Sequence, residues 1–238
     1  MKLIHLIAVP IAMIVLCAST TLASAADEEG VAVAIVYDTS GSMNEPVKDA
    51  AGKSSPKYLI ANRALAAIAQ RMQTFATQGA AGSPRKINAG LFVFQENKPH
   101  AALPFGPFQA AALTTWARDF SAPTGGTPLG ITLNTAGHTV LNSGLTRKHV
   151  LVITDGESNI GPQPDAILAK LQQEAGQKQT SVAVHFVAFD VEAKVFAGVK
   201  KLGATVVGAS NERQLNTQLE FILEKKILLE EEEPPKKS

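Results

Sequence analysis

Residues 31–37 form a continuous apolar run, Val-Ala-Val-Ala-Ile-Val-Tyr, that ends directly at Asp38. A run that is apolar at every position is typical of a strand buried on both faces, as in a parallel sheet covered by helices. Similar runs recur along the chain, at residues 87–94, 149–154, 182–189 and, in shorter form, 204–207. The sequence therefore predicts a sheet of buried strands.

The segments between these runs have the spacing of amphipathic helices. Residues 58–75, 165–177 and 211–230 each place their apolar side chains on one stripe, and Asn211 is a suitable cap for the last of these helices. A helix is also expected within residues 108–120, with Trp116 and Phe120 packed against the sheet. Strands that alternate with helices predict an α/β domain with a largely parallel sheet.

The first 26 residues have the composition of an export signal. A basic start is followed by an apolar stretch, a small polar stretch and the sequence Ala-Ser-Ala-Ala at residues 23–26. We therefore expect residues 1–26 to be a cleaved signal peptide, with an uncleaved membrane anchor as the alternative. Leu16, directly before Cys17, argues against a lipoprotein signal. The expected location is the periplasm or the extracellular space.

The rest of the chain has a composition that excludes several classes of protein. Its single cysteine, Cys17, lies in the leader, so the mature chain has neither disulfides nor thiolate metal ligands. The leader also holds one of the 22 basic residues and none of the 21 acidic ones, which leaves a mature net charge of zero. Nothing in this balance indicates nucleic acid or an anionic membrane as a partner.

The mature chain is predicted to be one domain with a short tail. We place the domain at residues 27–229 and a charged tail at residues 230–238. Within the domain, residues 44–56 are rich in Asn, Pro, Lys, Gly and Ser and predict a surface loop between the first strand and the first helix.

Three short polar stretches follow an apolar run or begin a helix. The first is Asp38-Thr-Ser40-Gly-Ser42, the second has Thr127 after a pair of glycines, and the third has Asp155 within Thr-Asp-Gly-Glu. Because the carboxyl ends of parallel strands meet at one edge, these stretches offer two carboxylates and three hydroxyls at one rim. Hard divalent cations such as Mg²⁺, Mn²⁺ and Ca²⁺ prefer such oxygen ligands.

In their order and spacing, these stretches resemble the metal-ion-dependent adhesion site (MIDAS) of von Willebrand factor type A domains. The resemblance runs from Val31 to about Glu224. It implies a Rossmann-like three-layer α/β sandwich, with a mostly parallel six-stranded sheet, one antiparallel edge strand and helices on both faces. It also implies that five residues hold one divalent cation, with Mg²⁺ expected and Mn²⁺ or Ca²⁺ as alternatives: Asp38, Ser40, Ser42, Thr127 and Asp155.

The resemblance implies a binding module rather than an enzyme. The cation would accept a carboxylate from a partner protein, and the last helix would move when the partner binds. Residues 44–56 look longer than a minimal family loop and lie next to the site, where they could shape partner choice. Membrane contact is expected only if the leader is retained.

Two other functions stay open as alternatives, a metal-dependent hydrolase and a structural subunit of an envelope assembly. Against catalysis, residues 39–42 lack the leading glycine of a nucleophile elbow, and residues 125–130 lack the lysine of a phosphate-binding loop. A solvated Glu157 is expected to lie outside the site. Four histidines fall on separate elements without the spacing of a zinc site: His100, His138, His149 and His185.

Overall fold

The computed structural model describes residues 27–78 and 84–228. The predicted leader and the predicted charged tail therefore lie outside the described residues. Within the described ranges, no helix combines the length and the apolar character needed to cross a membrane.

Eight strands and six α-helices follow one another along the described chain. The strands are β1 (Glu28–Tyr37), β2 (Pro46–Lys48), β3 (Ser54–Pro56), β4 (Ile87–Gln95), β5 (Lys98–Pro107), β6 (Leu145–Thr154), β7 (Ala183–Phe189) and β8 (Thr205–Ala209). The helices are α1 (Lys57–Thr77), α2 (Ala110–Asp119), α3 (Leu129–Leu141), α4 (Pro164–Gln177), α5 (Ala197–Lys201) and α6 (Glu212–Ile222). Short 3₁₀ helices lie at Gly41–Asn44 and Ala193–Phe196, and a π-helix at Leu223–Leu228 continues α6.

Six of the strands form one sheet in the order β5-β4-β1-β6-β7-β8. Every pair of neighbours is parallel except β4 and β5, which are antiparallel, so β5 is an antiparallel edge strand. Helices cover both faces of the sheet. The predicted fold class, a Rossmann-like three-layer sandwich with a mostly parallel six-stranded sheet, is confirmed.

The central strand β1 contributes to both layers of the core because successive side chains point to opposite faces. Val33, Ile35 and Tyr37 pack in the layer formed with α1, α2 and α6. Ala32 and Ala34 pack in the layer formed with α3, α4 and α5. The apolar run is continuous because neither face of this strand meets water.

The apolar runs correctly predicted five of the six strands of the main sheet, but β5 was missed as an individual element. Its ten residues include Pro99, Pro104 and Pro107, and most of its side chains are partly or fully exposed. Proline cannot donate to a sheet ladder and is tolerated mainly at sheet edges. The strand therefore lacks the apolar signature of its neighbours.

The prediction of a surface loop over residues 44–56 was wrong, because this segment contains the antiparallel hairpin β2–β3. Its two strands are only three residues long and carry little apolar patterning. The turn is held instead by Asp49, whose Oδ1 accepts hydrogen bonds from the backbone N–H groups of Ala51 and Lys53, at 3.0 and 2.8 Å. Such an Asx-type turn is polar and resembles a loop in sequence.

The last helix begins as predicted. The Asn211 side chain caps α6 by accepting a hydrogen bond from the Gln214 N–H at 3.0 Å. The predicted apolar stripe is buried, and the helix changes to π-helical geometry after Ile222. Its predicted end at residue 230 lies outside the described residues.

The aromatic side chains of the second helix pack as expected. The Trp116 and Phe120 rings stack at a centroid distance of 4.9 Å, and both rings meet Tyr37 edge-on. Tyr37 is the last residue of β1, so this aromatic group supports the strand end directly beneath Asp38.

Candidate functional site

The carboxyl ends of β1 and β6 lie side by side, with Tyr37 paired to Ile153. Asp38 follows β1 and Asp155 follows β6, so the two predicted carboxylates meet at one rim of the sheet. Asp38 is completely buried and Asp155 nearly so. A rim of this kind is where open α/β sheets bind their ligands.

Both oxygens of Asp38 are held by hydrogen bonds. The Ser40 backbone N–H donates to Oδ1 at 2.8 Å, and the Thr154 hydroxyl donates to Oδ2 at 2.6 Å. The carboxylate thus ties the turn after β1 to the end of β6. These two hydrogen bonds fix the orientation of the Asp38 side chain. They also hold the turn that carries Ser40 and Ser42.

The two serine hydroxyls lie next to each other and next to Asp155. Ser40 Oγ and Ser42 Oγ are 3.1 Å apart, and the Ser42 hydroxyl donates to Asp155 Oδ1 at 2.9 Å. Ser42 belongs to the 3₁₀ helix at Gly41–Asn44, which turns its side chain back toward β6. Four of the five predicted side chains therefore form one connected cluster.

The fifth predicted residue, Thr127, lies in a loop whose backbone is hydrogen-bonded to the loop after β1 and to the loop after β6. The Gly41 N–H donates to the Gly125 carbonyl at 3.0 Å, which joins this loop to the serine turn. On the other side, the Asn159 N–H donates to the Thr127 carbonyl at 3.1 Å, and the Thr127 N–H donates to Asn159 Oδ1 at 2.8 Å. Thr127 is buried at the junction of these loops.

The glycine pair before Thr127 is required by close packing. Gly125 has a φ of +79°, and a side chain there would meet Asn97 Oδ1 at 2.8 Å. A side chain at Gly126 would lie 2.6 Å from the Ile160 side chain. Asn97, in the turn between β4 and β5, also accepts a hydrogen bond from the Gly126 N–H at 2.8 Å. Sequence reasoning did not identify Asn97, because its turn joins a strand that was not predicted.

The Asp38 and Asp155 carboxylates are buried close together at the rim, so their negative charges repel each other. Burial, reinforced by the charge of Asp155, raises the pKa of Asp38 to about 6, despite the hydrogen bonds from Ser40 and Thr154. Burial and the same two carboxylates also raise the pKa of Tyr37 well above its ordinary value. A positive charge at the rim would relieve this repulsion.

One positive charge already lies beside the cluster. The ammonium group of Lys57, the first residue of α1, lies 3.1 Å from Asp155 Oδ2, and the Lys57 side chain is only 4% exposed. Although burial alone would lower the pKa of this amine, hydrogen bonds to Glu45 and Asp155 raise it above the usual value. Sequence reasoning missed Lys57, which reads as a surface residue at the start of a helix.

The donor set fits a hard divalent cation. The two carboxylates and two serine hydroxyls in contact at the rim, with Thr127 beside them, are oxygen donors of the kind that Mg²⁺, Mn²⁺ and Ca²⁺ prefer. No group of three or more His, Cys, Asp and Glu side chains within residues 27–78 and 84–228 is arranged to hold a metal ion. Glu157 is exposed and makes no hydrogen bond to the cluster.

The von Willebrand factor type A domain family matches residues 32–220 of this sequence. The match includes all three loops of the rim and most of the sheet. The chain therefore belongs to the von Willebrand factor type A domain family. No curated protein matches it in sequence.

Solved structures with the same fold come from several settings. Proximal thread matrix protein 1 from the mussel byssus, in a form described as having a zinc-occupied MIDAS motif, is 18% identical with a TM-score of 0.59, over 84% of this chain and 48% of that one. A D319A mutant of the PilB minor pilin from Streptococcus sanguinis is 14% identical with a TM-score of 0.61, over 83% of this chain and 61% of that one.

A third structure matches over nearly its whole length. The von Willebrand factor domain of the type V pili tip protein Mfa5 from Porphyromonas gingivalis is 15% identical with a TM-score of 0.58, over 83% of this chain and 95% of that one. The chain spans about half the length of the mussel protein and somewhat more of the pilin. At these identities the similarity concerns the fold alone.

Proposed function

We propose that Asp38, Ser40, Ser42, Thr127 and Asp155 bind one divalent cation, and that the domain uses this cation to bind an acidic group of a partner protein. The observation that carries the proposal is the contact between the Ser40, Ser42 and Asp155 side chains at the carboxyl rim of the sheet. A bound cation would supply a Lewis acid that accepts a carboxylate oxygen from outside the domain.

The hydrogen bonds favour different roles for these residues. Ser40 and Ser42 present adjacent hydroxyl oxygens and are the best candidates for direct ligands. Asp38 already accepts two hydrogen bonds, which favours a role in orienting Ser40 and in balancing charge through water. Thr127 and Asp155 can contribute directly or through water. Neutral direct ligands would leave the ion with much of its charge for the partner's acid.

The solved structures with this fold support an extracellular interaction role. They include a minor pilin, a pilus tip protein and a matrix protein of the mussel byssus. Together with the signal-like first 26 residues, these settings favour export to the periplasm or the extracellular space. Mg²⁺ is the ion proposed, with Mn²⁺ or Ca²⁺ as alternatives.

A metal-dependent capture experiment tests this proposal. The chain would be immobilised and exposed to the native envelope and extracellular fractions in Mg²⁺ or in EDTA. We expect a partner to be retained in Mg²⁺ and lost in EDTA. The Asp38→Asn variant should retain no partner, because disturbing a residue that orients a metal ligand typically weakens metal binding by about 10- to 100-fold.

The matched control is Glu174→Gln, which removes one carboxylate charge from the last turn of α4 without touching the rim. This variant should capture the partner as the wild type does. Capture that is equally strong in EDTA, or that survives Asp38→Asn in a folded protein, would exclude the proposed function. Hydrolysis of phosphate or ester substrates on addition of Mg²⁺ or Mn²⁺ would favour the enzymatic alternative instead.

A further inference from the structure

The ammonium group of Lys57 is surrounded by three carboxylates from three separate segments. It lies 2.9 Å from Glu45 Oε2, 3.1 Å from Asp155 Oδ2 and 3.2 Å from Asp190 Oδ2. Glu45 follows the 3₁₀ helix that holds Ser42, whereas Asp190 follows β7. The lysine thus joins the serine turn to the ends of two strands.

A lysine at the position of Lys57 would be unfavourable without these three carboxylates. The first turn of a helix prefers an acidic residue, because the helix dipole places partial positive charge there. A buried lysine also loses its hydration, and such a charge persists only where it is paired and hydrogen-bonded. The ion pairs of Lys57, including the one with the predicted metal ligand Asp155, therefore account for a buried lysine at this position.

The two oxygens of Asp155 are divided between two neighbours. Oδ1 accepts from the Ser42 hydroxyl at 2.9 Å, and Oδ2 faces Lys57 at 3.1 Å. The lysine therefore neutralises the carboxylate from the side away from the serines and fixes its orientation. Three carboxylates surround this one ammonium group, and Asp38 adds a further negative charge at the rim. An excess of negative charge is therefore left for a divalent cation.

We infer that Lys57 is an internal counter-ion for Asp155, which keeps the rim assembled without metal and lowers its affinity for a divalent cation. The inference rests on the proposed function, since it concerns the cation proposed there. Lys57 is a positioning residue and does not itself contact the ion. Its positive charge next to Asp155 partly neutralises that carboxylate and repels a bound cation. The affinity for the cation is therefore lower than the carboxylates alone would give.

The decisive variant is Lys57→Met, which keeps the length of the side chain and removes its charge. Without metal, this variant should unfold at a lower temperature than the wild type, because three carboxylates lose their partner. Its dissociation constant for Mg²⁺, measured by calorimetry on the full chain, should be about tenfold lower, as expected when a unit charge close to the ion is removed. Saturating Mg²⁺ should therefore raise its melting temperature more than that of the wild type.

A second variant keeps the inference testable if Lys57→Met does not fold. Glu45→Gln removes one neutralising carboxylate from Lys57 on a side chain that is 66% exposed, so the fold should persist. This change should weaken Mg²⁺ binding several-fold, in the opposite direction to Lys57→Met. The matched control is Glu192→Gln, which alters a side chain that is 67% exposed and pairs with Lys194 instead.

The results of these experiments distinguish a failure of this inference from a failure of the proposed function. Mg²⁺ binding by the wild type that is unchanged in Lys57→Met, or equal in Glu45→Gln and Glu192→Gln, would overturn the role of Lys57 alone. A purely structural lysine would give this result, with lower stability and unaltered affinity. Absence of Mg²⁺ binding by the wild type would overturn the proposed function and this inference together.

Discussion

Replacing Gly130 by alanine should lower the free energy of unfolding by about 3 kcal/mol, at the upper end of the usual range for overpacking. A β-carbon at this second residue of α3 would lie 2.0 Å from the carbonyl oxygen of Pro162 and 2.9 Å from its carbonyl carbon. Both are backbone atoms, so no side-chain rotation can relieve the clash. Either α3 or the segment before α4 must move.

The control for this substitution is Gly176→Ala. Gly176 lies near the end of α4, and a β-carbon there would meet no atom within 4 Å. Alanine should raise stability by about 0.5–1 kcal/mol, the usual difference between the two residues in a helix. Urea denaturation of the two variants measures both effects. Equal stabilities would show that the approach of α3 to Pro162 is not as close as described.

The Gly130 substitution should also disturb the rim. One of the two segments that can move, the one before α4, contains Ser158 and Asn159, whose hydrogen bonds hold the backbone of Thr127. The other, α3, begins two residues after Thr127. We therefore expect Mg²⁺ binding to weaken in Gly130→Ala, even where the protein stays folded. The close contact thus serves both the fold and the predicted site.

The second large effect is a loss of stability in mild acid, caused by a buried pair of histidines. His149 Nδ1 and His185 Nε2 lie 3.2 Å apart on the neighbouring strands β6 and β7, and both side chains are almost completely buried. Burial, aided by the partner ring and by Arg147, lowers the pKa of His149 to about 3. Burial and the charge of Lys226 lower the pKa of His185 to about 4.

The direction of the effect follows from these lowered pKa values. In the unfolded chain a histidine binds a proton at about pH 6.5, whereas the folded pair remains neutral there. The unfolded state therefore gains protons that the folded state does not bind, and stability falls as the pH drops below about 6.5. For two histidines, the loss between pH 7.5 and 5.5 is on the order of 3 kcal/mol.

Comparison with a variant isolates the histidines from other groups. Asp38 has a raised pKa, so its protonation stabilises the folded state as the pH falls through part of this range. The pH dependence of wild-type stability alone is therefore not decisive. His185→Gln should remove about half of the histidine contribution to the pH dependence of the unfolding free energy, whereas the exposed His100→Gln should leave this contribution unchanged. An identical pH dependence in all three proteins would contradict a buried neutral pair.

The sequence carried most of the information on the fold because the main strands are buried on both faces. Their apolar runs correctly located the five parallel strands, and the sequence also located α1, α2, α4 and α6, but the short helix α5 was not predicted. The edge strand β5 escaped because its prolines and exposed side chains lack that pattern. The hairpin β2–β3 escaped because a polar Asx-type turn, rather than apolar alternation, holds it.

The site was partly predictable for a similar reason. Asp38 and Asp155 directly follow buried strands, so knowledge of a parallel sheet is enough to bring them to one rim. Lys57 was not predictable, because its three carboxylate partners come from segments far apart in the sequence. The histidine pair depends on the order and register of β6 and β7, with Leu151 opposite His185, which no local pattern reveals.

The central claim is that the five oxygen-bearing side chains at the rim hold one divalent cation. Crystals of the full chain grown with Mn²⁺, a scatterer that can stand in for Mg²⁺, would locate the ion by anomalous diffraction. We expect one strong peak within about 2.5 Å of the Ser40 and Ser42 hydroxyl oxygens, which disappears in Asp38→Asn. An empty rim at saturating Mn²⁺, or a peak held only by other residues, would contradict the account.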